Sequence, residues 1–159
     1  MTKIVTIIGT GRVGLPMALV LADAGYTVYG LDVDAAKMAI LKTGKMPFME
    51  EGADALLKKH VNKNFLPTTN NQILSKSDTI ILTLGTPIDE NMNPVLDQIE
   101  FALDAAFPHL HQGQLLILRS TVSPRTTEYV RDKIEMNTKL KVGLDIFLAF
   151  CPERIAEGK

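Results

Sequence analysis

The 159-residue chain has one cysteine, Cys151. A disulfide framework is therefore impossible and a cysteine zinc site is disfavoured, which fits a reducing compartment. Neither sign of charge dominates: 17 basic against 18 acidic side chains leave a formal charge of −1. That balance gives no electrostatic footprint for nucleic acid or an anionic membrane surface. No apolar run approaches the ~18 residues a membrane helix needs. The stretch from Met1 to Gly11 resembles a signal peptide only faintly, because Arg12 interrupts it and no small-residue cleavage site follows. Internal repeats, low-complexity tracts and linker-like shifts in composition are also missing. A cytoplasmic protein without nucleic-acid or membrane partners is expected.

What the chain does have is apolar material, 46% of its residues. A domain of this length buries roughly two-thirds of its unfolded surface, enough for a core. Short β-branched runs alternate with segments of helical period. Strands are expected at Lys3–Ile8, Thr27–Leu31, Phe65–Thr68, Thr79–Leu84, Leu115–Leu118 and Ile146–Phe150. Helices are expected at Val13–Ala24 (closed by Gly25), Asp34–Lys42, Glu51–Lys58, Leu96–Ala106 and Thr126–Met136, with a brief one at Gln72–Lys76. Pro16 and Pro124 fall early in a helix or at its start, where a missing N–H is tolerated. This alternation predicts an α/β fold: a doubly wound, mostly parallel six-stranded sheet with helices on both faces, forming one domain over residues 1–159.

Directly after the first strand comes Gly9-Thr10-Gly11-Arg12-Val13-Gly14, a GxGxxG pattern. Glycine at about 7% of residues makes such a triplet a roughly one-in-twenty accident in a chain of this size. Its context, between a strand and a helix of one βαβ unit, gives it weight. Gly9 permits the tight turn, Gly11 lets the backbone approach a pyrophosphate, and Gly14 lets the helix pack on the strand. The free N–H groups of the helix start then bind the anion. Asp32, 21 residues after Gly11 and at the end of the second strand, can accept from both hydroxyls of an adenosine ribose and would repel a 2′-phosphate. NAD is thus expected over NADP. Lys37, one helical turn on, either weakens that preference or lies over the ribose, and Asp34 is the better N-cap.

Ligands of open α/β sheets bind beyond the carboxyl ends of the strands. There the sequence places Gly85-Thr86-Pro87 after the fourth strand and Arg119-Ser120-Thr121-Val122 after the fifth. Cys151-Pro152-Glu153-Arg154-Ile155-Ala156-Glu157-Gly158 follows the sixth. Other candidates are poor. His109 and His111 read as a solvated loop, His60 as surface, Cys151 as a structural thiol and the seven methionines as core filler. No metal site is expected, and no histidine has the placement of a dehydrogenase acid–base.

Taken in order, GTGRVGLP at 9–16, Asp32-Val33-Asp34, GTP at 85–87, RSTV at 119–122 and CPERIAEG at 151–158 resemble the NAD-binding domain of the UDP-glucose/GDP-mannose dehydrogenase family. The resemblance covers essentially the whole chain. Pro-Glu-Arg at 152–154 is similar to the branch oxidising UDP-N-acetylhexosamines, where the UDP-glucose branch usually carries Pro-Glu-Phe. The resemblance implies oxidation of a UDP-sugar C6 alcohol to the uronic acid with two NAD+ per turnover, a step of nucleotide-sugar metabolism feeding polysaccharide biosynthesis.

By that resemblance Val13, Asp32, Lys37, Thr86 and Thr121 contact NAD, with Gly85, Pro87 and Ser120 beside them. Glu157 lies near the nicotinamide and the reacting carbon, and Glu153, Arg154 and Ile155 line the sugar side. Thr121, Glu153 and Glu157 are the catalytic candidates, because hydrolysis of a thioester needs a water that a carboxylate or threonine orients or deprotonates. The resemblance also implies that the nucleophilic cysteine, the catalytic lysine and the uridine site belong to a central helix and second domain absent from these 159 residues. The chain alone is therefore expected to be inactive and monomeric, although longer relatives oligomerise. Arg125 departs from the family pattern, which commonly has glycine there. Two other readings stay open: an NAD-dependent 3-hydroxy acid type dehydrogenase domain, and a non-catalytic dinucleotide-binding or redox-sensing module.

Overall fold

The computed structural model describes residues 3–85 and 96–153. Six strands, β1 (Ile4–Ile8), β2 (Thr27–Leu31), β3 (Phe65–Thr68), β4 (Thr79–Leu82), β5 (Leu115–Leu118) and β6 (Phe147–Phe150), form one sheet in the order β3-β2-β1-β4-β5-β6. Every pairing is parallel. The chain runs outward from β1 to β3 and then crosses back to lay β4 on the other side of β1. This leaves a crevice at the carboxyl ends of β1 and β4.

Side-chain alternation in the strands builds two apolar layers. Val5 and Ile7 of β1 and Ile81 of β4 face α1 (Gly14–Asp23), α2 (Ala35–Lys42) and α3 (Ala53–His60). Ile8, Ile80, Leu82, Leu116 and Leu118 face α4 (Asp97–Ala106) and α5 (Thr126–Asn137). Helix α1 ends as its sequence requires: Gly25 N–H donates to Ala22 O and Tyr26 N–H to Leu21 O, the paired bonds of a Schellman motif. Asp34 caps α2 by accepting from Lys37 N at 2.9 Å. The brief helix expected at Gln72–Lys76 is a 3-10 helix over Asn71–Lys76, capped by Asn70.

Several expectations need correction. His60 is 8% exposed, not a surface residue. It closes α3 against α1, with Nε2 2.8 Å from Asp23 Oδ1 and Nδ1 2.8 Å from Asn64 Oδ1. Hydrogen bonds from Lys59 and His60 hold the Asp23 carboxyl below its ordinary range. His109 ends a short 3-10 helix, Phe107–His109, and only His111 is exposed as a loop histidine would be. Met38 is core, but Met49 and Met136 are 94% and 80% exposed, so the methionines are not uniformly filler. Strand β4 pairs only to Leu82, because Thr83 turns to the glycine loop. Helix α3 starts two residues late, after Gly52 with a left-handed φ of 77°.

Arg125 holds the N-cap of α5 with φ 70°. Left-handed backbone costs a non-glycine residue about 1–2 kcal/mol, which is the physical reason for glycine at such a position. Arg125→Gly is therefore expected to be more stable than Arg125→Ala by about 1 kcal/mol. Urea denaturation of the pair checks this, and equal midpoints would show that the loop relaxes out of the left-handed region at no cost.

Candidate functional site

The glycine loop is pinned from three sides. Gly9 N–H donates to Leu31 O at 2.8 Å, tying the end of β1 to that of β2. Thr83, just past β4, donates its hydroxyl to Gly9 O at 2.6 Å, and its N–H donates to Ile8 O at 2.9 Å. Gly9 has φ 95°, and a Cβ on it would lie 2.8 Å from Thr83 O. A Cβ on Gly14 would lie 1.9 Å from Gly9 O and 2.4 Å from Thr83 Oγ1. Helix, strand and loop thus meet at a distance only glycine allows. Gly11 differs, since a Cβ there would meet nothing within 4 Å.

Asp32 is the electrostatic centre. Its Oδ2 accepts from Thr10 N and Thr10 Oγ1, each at 2.8 Å, and pairs with Lys37 Nζ at 2.6 Å, while Oδ1 accepts from Asp34 N at 3.1 Å. Burial works to raise its pKa, yet the hydrogen bonds from Lys37, Thr10 and Asp34 outweigh it and hold the carboxyl below the ordinary 3.8. Lys37 therefore occupies Oδ2 of Asp32 together with Thr10. Oδ1, with one donor, is the oxygen better placed to accept a hydroxyl.

Among the described residues, no acceptor meets the backbone N–H groups of Gly11, Arg12 and Val13. Three orphan donors at a helix N-terminus, beside an open glycine, fit a pyrophosphate. Arg12 projects over the Phe48 ring, 5.5 Å from its centroid. Alongside lies a cleft of about 700 Å³, with Gly9 and Asp32 on one wall, Thr83 and Gly85 on the other, and Gln98 and Phe101 from α4. It has the size and the mostly apolar character of a small-molecule site. Thr10, Thr83 and Phe101 were not singled out from the sequence. Thr10 was the findable one, since it stands inside the motif, whereas Thr83 looks like one more strand residue.

At the far side of the edge, Ser120 Oγ donates to Leu84 O, joining the turns after β4 and β5. Thr121 is exposed. Glu153 lies inward, its side chain 9% exposed and its Oε2 2.9 Å from Arg119 Nη2. The same arginine reaches Cys151 and the carbonyl of Pro152. Cys151 itself is exposed. Thr86, Pro87, Arg154, Ile155 and Glu157 lie outside the described residues. No group of three or more His, Cys, Asp or Glu among the described residues could hold a metal ion, and no helix there is long and apolar enough to cross a membrane.

A parallel sheet wound in this order, with a glycine loop opening a helix at the crevice and a carboxylate ending β2, defines a dinucleotide-binding domain of the Rossmann type. More particularly, the chain belongs to the UDP-glucose/GDP-mannose dehydrogenase family, whose NAD-binding domain matches residues 3–159. It is 32% identical over 157 residues to a UDP-N-acetyl-D-mannosamine dehydrogenase of Methanococcus aeolicus, covering 97% of this chain and 34% of that protein. A solved UDP-D-ManNAc dehydrogenase from Pyrococcus horikoshii superposes with TM-score 0.93 at 29% identity, over 97% of this chain and 37% of that one. A ternary complex of GDP-mannose dehydrogenase from Pseudomonas aeruginosa gives 0.91 at 30%, over 96% and 36%. The chain thus spans about a third of the length of these three relatives. The family match decides against the 3-hydroxy acid reading.

Two predictions follow from this geometry. Gly11→Ala should leave the thermal midpoint within about 2 °C of the parent, since open space costs less than ~0.5 kcal/mol, but should weaken NAD+ binding. Gly14→Ala should destabilise the domain severely, because its methyl group must displace backbone. Calorimetry and thermal melts separate the two, and equal melting behaviour would contradict the close packing described. Because Asp32 has a folded pKa below its unfolded one, its contribution to stability is present above about pH 4 and fades as pH falls through the lower folded value. Asp32→Asn should therefore cost about 1–3 kcal/mol at pH 7, with the gap to the parent closing in urea titrations as pH falls below the ordinary carboxylate range.

Proposed function

We propose that this chain is the NAD-holding part of a dehydrogenase that oxidises the C6 alcohol of a UDP-sugar, of the UDP-N-acetyl-D-mannosamine or UDP-glucose type, to the uronic acid. The observation that carries the reading is the row of unpaired N–H donors at Gly11–Val13 beside the prearranged Asp32. The similarity to dehydrogenases of UDP-N-acetyl-D-mannosamine supports the sugar class. Bound NAD+ supplies the hydride acceptor.

The chain's own residues then divide the work. Gly11, Arg12 and Val13 hold the pyrophosphate through backbone donors, with Gly9 and Gly14 packing the loop that aims them and the Arg12 guanidinium available to the same anion. Asp32 and Lys37 take the adenosine ribose, Oδ1 accepting and Nζ donating. Gly85, Ser120 and Thr121, past the ends of β4 and β5, border the nicotinamide half. The family resemblance assigns Thr86 and Pro87 to the same half, Glu157 to the reacting carbon, and Glu153, Arg154 and Ile155 to the sugar. Glu153 is ion-paired and largely shielded from solvent. A carboxylate so held is a better acceptor for orienting a water than a base for deprotonating it. Thr121, which is exposed, and Glu157 are the further groups suited to guiding that water.

In this reading the nucleophilic cysteine and the uridine site belong to a central helix and second domain outside these 159 residues. The chain alone then binds cofactor as a cytoplasmic monomer without turning substrate over. A non-catalytic dinucleotide module has no observation in its favour. Titration calorimetry with NAD+ and NADP+ tests the proposal. Micromolar-to-millimolar NAD+ binding is expected, with NADP+ weaker by about tenfold or more, ~1.4 kcal/mol. Equal affinity would remove the Asp32 argument, and sustained NADH formation from UDP-N-acetyl-D-mannosamine by this chain alone would refute the division of labour.

A further inference from the structure

Four contacts of one guanidinium organise the sugar-side end of the sheet. Arg119 leaves the end of β5 and sets Nη2 2.9 Å from Glu153 Oε2. Its Nη1 lies 3.3 Å from Cys151 O, 3.1 Å from Cys151 Sγ and 3.1 Å from Pro152 O. The backbone supports the same join: Arg119 N–H donates to Leu82 O, and Cys151 N–H donates to Leu118 O, both at 2.9 Å. Three consecutive residues after β6 are thus gripped by one side chain from β5. Both partners are sheltered, with Arg119 22% and Glu153 9% exposed.

We infer that Arg119 is a positioning residue, which fixes the course of residues 151–153 and keeps Glu153 ionised and turned to the carboxyl edge of the sheet. The inference rests on the proposed role of Glu153 at the sugar side and deepens it. A carboxylate this shielded strongly favours its neutral form unless a cation stands against it. Among the described residues, Arg119 at the end of β5 sets its guanidinium against the carboxylate, and the Cys151 thiol lies on the same segment, in contact with that arginine. A guanidinium is a permanent cation. Glu153 therefore presents a fixed acceptor rather than a proton donor, and removing Arg119 should raise the pH at which it takes up a proton. Lysine keeps a charge but lacks the planar fork that spans the carboxylate and two carbonyls at once.

Carboxyl-carbon NMR on the 159-residue chain tests this, with the Glu153 signal identified by its loss in Glu153→Gln. In the parent, Glu153 should remain ionised to below the range of an ordinary glutamate. In Arg119→Gln its midpoint should rise by about 1–3 pH units, and in Arg119→Lys by less. A parent midpoint at or above the ordinary glutamate value, or one unmoved in Arg119→Gln, would overturn the inference. The parent titration and Arg119→Lys decide the matter even where Arg119→Gln fails to fold. NAD+ calorimetry on the same samples reports the cofactor reading separately: binding with an unshifted Glu153 defeats only the inference, and a shifted Glu153 without binding defeats only the cofactor role.

Discussion

The close approach of three backbone segments governs this fold. Gly9 at the end of β1, Gly14 at the start of α1 and Thr83 at the end of β4 meet where a single added methyl would overlap main-chain oxygen. That contact sets the height of α1 on the sheet and brings its first N–H groups to the crevice. It also brings β4 against β1, so the crossover and the anion site are consequences of one packing constraint. A glycine loop on a looser scaffold would still bend, but its donors would not be aimed.

The carboxyl edge divides into two halves that are stabilised differently. On the cofactor side the polar groups are backbone donors and one carboxylate already supplied with four hydrogen bonds. Beyond β5 and β6 the order comes from a charged pair, Arg119 with Glu153, and from carbonyls captured by the same guanidinium. Backbone donors suit a pyrophosphate, whose charge they meet without bringing a counter-charge of their own. A shielded ion pair suits a place where a carboxylate has to persist beside a substrate.

The six strands, their doubly wound fold class and the glycine loop were legible because they follow from patterns that act over a few residues: β-branched runs, helical period, and glycines spaced for one turn. Element ends moved where a tertiary partner intervened. β4 stops at Leu82 because the Thr83 hydroxyl is used by Gly9, and α3 waits for the left-handed Gly52. His60 was misread because a lysine-rich run suggests solvent, while its ring turns back between Asp23 and Asn64. The motif spacing found Asp32 and Lys37 but not that they pair with each other. Glu153 was a candidate on its motif alone, but its ion pair with Arg119 was not legible, because the two are 34 positions apart and meet only when β6 lies beside β5.

The two hydrogen bonds that Thr10 donates to Asp32 carry a consequence for how coenzyme preference can change. The acidic residue proposed to read the ribose is also the anchor of the loop proposed to hold the phosphates. A replacement suited to a 2′-phosphate would strand the Thr10 amide and hydroxyl in the interior, Thr10 being fully buried. Substitutions at positions 10 and 32 should consequently show strong epistasis: either alone damages the grip on any dinucleotide, and a viable switch passes through both. Coenzyme choice in this domain is then inherited as a unit of two residues, an obstacle to drift that no single-site comparison would reveal.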